Sequence, residues 1–208
     1  MNLSRFSRPL MIAAGMVFLA FPAKTQVTES EQERVRAMAE EISSMMAALE
    51  TRATGYPQFI ADLQAGLVTI EQADEQVQQL ITELTTATDK MEDGGDLDTS
   101  IDAYRTATSA LIAEAEASNN DAIKSSIPDL QKTLTNLGTS DESRVSTVIE
   151  ARNLIRSLEQ NRDAIAFFIK ADQVQRASNL IAANVTEFSG IVGKGKALAA
   201  GLIGGANP

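Results

Sequence analysis

Apolar residues recur in alternating steps of three and four along most of this chain, from residue 35 to residue 188. This spacing places one apolar stripe on a helix, and no stretch shows the sustained period-two alternation of a β-strand. The five prolines stand at positions 9, 22, 57, 128 and 208 and leave long stretches that a helix can occupy without interruption. The sequence therefore predicts an all-α protein.

Six apolar runs with this spacing follow one another, over 35–49, 70–91, 97–115, 123–137, 148–169 and 174–188. Turn-forming residues separate them at 55–57, 93–96, 118–121 and 138–142, and the junction at 170–172 is interpreted as a kink or a short turn. Thr69 is expected to cap the second helix. Because the connections are short and three-four seams favour small crossing angles, we predict an up-and-down antiparallel bundle of five or six helices over 24–188, with coiled-coil-like seams.

The first residues have the pattern of a secretory signal peptide. Two arginines precede an uninterrupted apolar run over 10–21, and the chain becomes polar directly after Pro22. This run is short for a membrane span, which needs about 20 residues. Cleavage after Ala23 or after Ala20 leaves a phenylalanine where a small residue is expected, so the cleavage site stays open. We assign 1–23 as a signal peptide and expect a periplasmic or secreted protein, with an uncleaved N-terminal anchor as the alternative.

The chain contains no histidine and no cysteine, and these absences exclude many kinds of site. A histidine general base, thiol nucleophiles, thiolate zinc sites, haem attachment through CxxCH and the Glu-x-x-His pairs of di-iron bundles all require one of these residues. No glycine-rich phosphate-binding motif occurs either. We therefore predict a protein that is not an enzyme and has no cofactor or metal centre, with carboxylate chemistry as the one catalytic option left open.

Charge is distributed unevenly along the sequence. Residues 29–121 contain 20 acidic and 5 basic side chains, whereas residues 122–208 contain 8 acidic and 10 basic ones. Nucleic acid is excluded as a partner, because phosphate binding needs a clustered basic face. The imbalance is typical of two halves that attract each other when they pack, and the alternative is an acidic face that binds cations or a basic partner.

The acidic turn over 89–98 is the segment that most resembles a calcium loop. If Gly94 takes the sixth position of an EF-hand loop, Met91 falls on the third position, which requires an oxygen ligand. Ser100 then falls on the twelfth position, which requires an acidic residue. The spacing therefore favours a glycine turn in which an aspartate caps the next helix. The remaining hypothesis is weak cation binding by the four aspartates of the turn, Asp89, Asp93, Asp96 and Asp98.

Arg162 interrupts the apolar seam of the fifth run, between Leu158 and Ile165. One interpretation is a long side chain that reaches solvent from a partly buried stem. The other is a buried cation that pairs with an acid from the N-terminal half or anchors a ligand. Arg162 is therefore a candidate for a ligand contact or a buried charge.

The C-terminal segment 189–208 is rich in glycine and alanine. Small residues recur every four positions, at Gly193, Ala197, Gly201 and Gly205, and such a ridge allows two helices to approach closely. Each glycine inside a helix costs about 0.5–1 kcal/mol relative to alanine, so a helix here needs a compensating contact. We expect a C-terminal helix that packs, self-associates or lies on a membrane surface, with a flexible tail as the alternative.

Together these patterns favour a noncatalytic, exported helical bundle that acts by binding or assembly. The C-terminal segment is the expected surface for a protein partner or for self-association. The alternative is a periplasmic bundle that holds a small molecule or a cation between its helices, with Arg162 or the acidic turn as the polar anchor.

Overall fold

The computed structural model describes residues 22–205, with side chains described for 28–204. Within this part of the chain the structure is a bundle of helices without strands, as predicted. The helices are α1 (Pro22–Gln64), α2 (Ile70–Met91), α3 (Asp96–Ala117), α4 (Asp121–Lys124), α5 (Ile127–Lys170) and α6 (Val174–Gly205). The predicted signal peptide lies outside the described residues except for Pro22 and Ala23, at which α1 begins.

The helices form four rods, because α2 and α3 follow one another along the same side of the bundle. Three ion pairs to α5 show this order. From one pair to the next, the residue number of the α5 member decreases while that of the α2 or α3 member increases. The pairs are Arg162–Asp74, Arg152–Asp89 and Arg144–Asp98. The α2–α3 rod therefore runs antiparallel to α5, and the short helix α4 lies between α3 and α5 in the chain.

The last rod, α6, packs between α1 and α5. On one side Lys196 of α6 contacts Glu50 of α1, and on the other side Lys194 contacts Glu150 of α5. The core runs along the centre of the four rods, and the largest side chains that it buries completely include Phe188 of α6. In the described part of the chain, no helix is both long enough and apolar enough to cross a membrane.

Two local signals explain where α2 begins and ends. Thr69 caps its first turn as predicted, since its hydroxyl accepts from the N–H of Gln72 at 3.2 Å and its own N–H donates to the Gln72 side chain at 2.8 Å. At the other end the chain turns at Gly94, whose φ of 79° suits glycine. Gly95, and not an aspartate, is the N-cap of α3, and Asp98 accepts from the N–H of Gly94 at 2.8 Å.

The helix break predicted at 55–57 is absent, because α1 continues through Pro57 to Gln64. Proline removes one backbone hydrogen bond, which normally ends or kinks a helix. Here buried side chains hold the helix on both sides of the proline, with Leu49 and Tyr56 before it and Leu63 after it. Tertiary packing therefore overrides the local signal.

The break predicted at 138–142 is also absent, and the fourth and fifth predicted helices form the single helix α5. The residues that were expected to end one helix and to cap the following one form hydrogen bonds within α5 instead. The hydroxyl of Thr139 donates to the carbonyl of Thr135 at 3.2 Å, and Asp141 accepts from Arg144 one turn later at 2.8 Å. A single glycine, Gly138, does not end a helix whose flanking turns are packed.

Candidate functional site

The most buried charge described in the bundle is Arg144, whose side chain is 3 % exposed. It lies on α5 directly against the acidic turn. Its guanidinium donates to the backbone carbonyl of Met91 at 2.6 Å and contacts Asp93 at 3.2 Å, Asp98 at 2.5 Å and Asp141 at 2.8 Å. Burial lowers the pKa of Arg144, but the hydrogen bond to Asp141 and the nearby carboxylates outweigh burial and leave the pKa raised.

Each of the four aspartates predicted as weak cation ligands contacts a basic side chain of the protein itself. The pairs are Arg144–Asp93 at 3.2 Å, Arg144–Asp98 at 2.5 Å, Arg152–Asp89 at 2.6 Å and Lys90–Asp96 at 3.2 Å. Among residues 22–205 the structure contains no cluster of acids arranged to hold a metal ion. The contacts of Arg144 and Arg152 therefore hold the turn between α2 and α3 against α5.

The exposure of these partners differs widely. Asp93 is 90 % exposed although Arg144 beneath it is 3 % exposed, so the guanidinium lies just under the surface of the turn. Ion pairs between exposed side chains contribute about 0–1 kcal/mol, whereas removing one member of a buried pair costs several times more. Arg144 should therefore contribute more to the stability of the turn than the exposed aspartates around it.

Arg162, the residue that the seam pattern singled out, is only partly buried. Its side chain is 37 % exposed and forms a two-pronged contact with Asp74 of α2, in which Nη2 donates to Oδ2 at 2.6 Å. Its Nη1 also donates to the side chain of Gln78 at 2.6 Å. The hydrogen bonds from Arg162 hold the pKa of Asp74 below its ordinary value. Arg162 thus pairs with an acid of the N-terminal half, at the surface of the α2–α5 seam.

Sequence reasoning missed Arg144 because the predicted break at 138–142 separated it from its seam. In the continuous helix α5 it belongs to a heptad row of buried residues. The members of that row are Leu137, Arg144, Ala151, Leu158 and Ile165. A charged residue in an otherwise apolar heptad row was the available signal.

A second feature that the sequence did not indicate is a partly buried polar contact between α5 and α6. Nδ2 of Asn161 donates to the side-chain oxygen Oδ1 of Asn184 at 3.4 Å. Within the described part of the chain, Nδ2 of Asn184 and Oγ of Ser178 are buried without a hydrogen-bond partner. A buried polar group without a partner costs about 1–3 kcal/mol, so these positions reduce the stability of the α6 packing.

The predicted small-residue ridge lies on the solvent side of α6. We call the exposed small residues from Ser189 to Gly204 the outer face of α6; the exposed Lys194 lies at its edge, where it contacts Glu150 of α5. Its members are Ser189, Gly190, Gly193, Ala197, Ala200, Gly201 and Gly204. None carries a side chain larger than that of serine, and Gly205 ends the described helix on the same row. The ridge residues Gly193, Ala197 and Gly201 therefore do not pack inside the bundle.

A different glycine makes the close contact inside the bundle. A Cβ on Gly195 would lie 2.6 Å from Sδ of Met46, which is completely buried on α1. A Cβ on Gly193 or Gly201 would meet no atom within 4 Å. A Cβ at position 195 would therefore displace the end of the buried Met46 side chain, whereas packing within the described chain does not need glycine on the outer face of α6.

Comparison with known proteins gives no match: no family model, no curated protein and no solved structure is significantly similar to this chain. Functional assignment therefore depends on the physical features of the bundle alone.

Proposed function

We propose that this protein is a noncatalytic, exported helical bundle that acts by binding or assembly through the outer face of α6. The observation that carries the proposal is the set of exposed glycines on that face. Four of them stand in a regular helix with open space where a Cβ would be: Gly190, Gly193, Gly201 and Gly204. Packing within the described chain does not require glycine at these positions.

The energetic argument follows from helix propensity. Each exposed glycine in a helix costs about 0.5–1 kcal/mol relative to alanine, so four of them cost roughly 2–4 kcal/mol. A helix face without large side chains allows the backbone of a second helix to come close, which gains many van der Waals contacts. Close approach of a partner helix would thus explain these glycines, which packing within the described chain does not require.

Export is the second part of the proposal. It is supported by the basic start and the apolar run over 10–21. Intact-mass measurement of the protein recovered from outside the cytoplasm tests it, and we expect the loss of 1–23 or 1–20. Full-length protein that stays in the membrane fraction would favour the uncleaved anchor instead.

The absence of cysteine from the chain allows a direct test of assembly in the native cells. The variant Ala197→Cys places a single thiol on the outer face of α6. Ala37→Cys is the matched control, because Ala37 is an exposed alanine of α1 on another side of the bundle. Each variant is labelled with a maleimide, once in intact native cells and once as dilute purified protein.

If the outer face of α6 is covered in the cell, Ala197→Cys reacts more slowly there than after purification and dilution, whereas Ala37→Cys reacts equally fast in both states. Equal rates for both variants in both states would overturn the proposal. Labelling rates are suited to this question because they report access to the thiol without requiring that the partner be known.

The alternative, a bundle that holds a small molecule or a cation between its helices, has less support. Its expected anchors are engaged within the chain, since Arg162 contacts Asp74 and the aspartates of the acidic turn contact basic side chains. Calorimetric titration with millimolar calcium tests the cation version, for which the alternative requires a binding heat.

A further inference from the structure

Two of the four large apolar side chains exposed in the described part of the chain are neighbours on α5. They are Val145, which is 38 % exposed, and Ile149, which is 56 % exposed and lies one helical turn further along. Adjacent exposed apolar side chains, unlike scattered single ones, are typical of contact surfaces. The two side chains line a shallow depression together with Asp141, Glu142, Ser146 and Glu150.

The apolar pair lies on the side of α5 that is next to the acidic turn between α2 and α3. Arg152 stands seven positions after Val145 and three positions after Ile149, and side chains at these spacings share one side of a helix. Arg152 contacts Asp89 at 2.6 Å and also contacts Glu92. The carboxylates at the end of α2 therefore lie beside the apolar pair.

The carboxylates of this surface are more exposed than the cations that they contact. Arg144, directly before Val145 in the chain, is 3 % exposed, whereas Asp93 above it is 90 % exposed. In the same way, the side chain of Arg152 is 34 % exposed and that of Asp89 is 55 % exposed. A partner that approaches from solvent therefore meets negative charge before it meets the arginines.

Glu142 borders the depression on α5 itself. Its carboxylate is exposed and takes part in none of the ion pairs of the described chain. From Glu142 to Ala151, Arg144 is the only basic residue, and its guanidinium is buried. Acidic side chains thus surround the apolar pair on both sides. We call this surface the acidic groove, and its members are Asp89, Glu92, Asp93, Glu142, Val145 and Ile149.

We propose that the acidic groove binds a basic segment of another protein, one that carries a large apolar side chain between lysines or arginines. The apolar side chain enters the depression beside Val145 and Ile149, where it is removed from water. The flanking cations contact Glu142 on one side and the carboxylates at the end of α2 on the other. Such a partner is the basic one that the uneven charge of the sequence left open.

A second copy of this chain fits the acidic groove less well. The chain has a net charge of −10, so a second copy brings mainly further carboxylates to an acidic surface. The acidic groove is also distinct from the outer face of α6, because it lies beside the α2–α3 rod, whereas α6 packs between α1 and α5. Binding there is a further function that does not depend on the outer face of α6.

Fluorescence anisotropy with a short labelled peptide, in which leucines are flanked by lysines, tests this binding on the purified protein. The control peptide has glutamate in place of every lysine. We expect the lysine peptide to bind and the glutamate peptide not to bind, and we expect the affinity to fall as salt is added. Because a basic peptide is attracted to any acidic protein, variants of the acidic groove must locate the site.

Ile149→Ser should raise the dissociation constant of the lysine peptide about tenfold, because it removes an apolar contact without changing the charge. Leu67→Ser is the matched control, since Leu67 is an exposed apolar residue in the loop before α2, and it should leave the constant unchanged. Circular dichroism checks that each variant keeps its helices.

The charge of the acidic groove has its own test. Glu142→Gln should raise the dissociation constant about threefold, because it removes one ion pair at the edge of the contact. Glu159→Gln removes the same charge at another exposed position of α5 and should have a smaller effect.

Three outcomes would overturn the proposal. The first is a lysine peptide that does not bind at millimolar concentration, and the second is a loss of affinity as large in Leu67→Ser as in Ile149→Ser. The third is self-association of the protein without peptide, seen by sedimentation velocity and abolished by Ile149→Ser, which would assign the surface to a second copy. None of them bears on the outer face of α6, which the labelling of Ala197→Cys tests separately.

Discussion

Arg144 donates a hydrogen bond of 2.6 Å to the backbone carbonyl of Met91, the last residue of α2, across 53 positions of sequence. The final carbonyls of a helix have no partner within the helix, so this arginine completes the end of α2 from another rod. The same guanidinium contacts Asp98 in the first turn of α3. One side chain therefore ties together the end of one helix and the beginning of the next.

Replacement of Arg144 by alanine should lower the free energy of unfolding by about 3–5 kcal/mol, because it leaves a buried carbonyl and the inner carboxylates without their donor. Arg144→Lys should recover only part of this loss, since an ammonium cannot reproduce the geometry of the guanidinium. Urea denaturation measures both effects. Arg156→Ala is the control, since Arg156 is exposed and, among the described residues, bonds only to Asn153. A loss as large as that of Arg144→Ala would contradict the assignment.

Arg144 and Arg162, both on α5, show what the sequence pattern could and could not predict. Arg162 attracted notice because it stands in an evident apolar seam, but in the structure it lies at the surface and pairs with Asp74. The sequence did not indicate Arg144, because the segment just before it, 138–142, contains a glycine and resembles a turn. Whether such a segment breaks a helix depends on what its neighbours pack against, and that is information from other parts of the chain.

Other elements show the same contrast between features that adjacent residues determine and features that depend on distant packing. The cap at Thr69 and the turn at Gly94 were predictable, because they depend on a few adjacent residues. The continuity of α1 through Pro57 was not, because it depends on side chains buried against distant helices. The pattern located the small-residue ridge of α6 but could not say whether it faced the core or the solvent, and that requires the register of α6 against α1 and α5.

Tyr56 gives a prediction for alkaline pH. Burial raises the pKa of its phenol to about 12, so the folded protein keeps the proton while the unfolded chain loses it near pH 10. The unfolded state therefore binds fewer protons between pH 10 and 12, and stability should fall as pH rises through this window, by at most about 1.4 kcal/mol per pH unit from this residue. Tyr56→Phe should reduce the slope in urea denaturation, and an unchanged slope would contradict the role of burial.

The Arg162–Asp74 contact gives a prediction for acid pH. Because the folded state lowers the pKa of Asp74, the contribution of this pair is present above about pH 4 and is lost as pH falls through the lowered pKa. Arg162→Met should return the pKa of Asp74 to its ordinary value, which an NMR titration of the carboxyl group measures. The loss of stability near neutral pH should stay below about 1 kcal/mol, because both side chains are partly exposed. In a background with Asp74→Asn, Arg162→Met should no longer change the acid dependence, and a persistent change would assign it to another group.

Two neighbouring glycines of α6 should respond to alanine in opposite directions. Gly193→Ala should raise the free energy of unfolding of the dilute protein by about 0.5–1 kcal/mol, because the new Cβ meets no atom and helix propensity improves. Gly195→Ala should lower it, because the Cβ would come within 3 Å of three atoms of the buried Met46 side chain. Urea denaturation at low concentration gives both values. A gain at both positions would mean that Met46 moves aside freely, and the close α1–α6 contact would then not be what requires glycine at position 195.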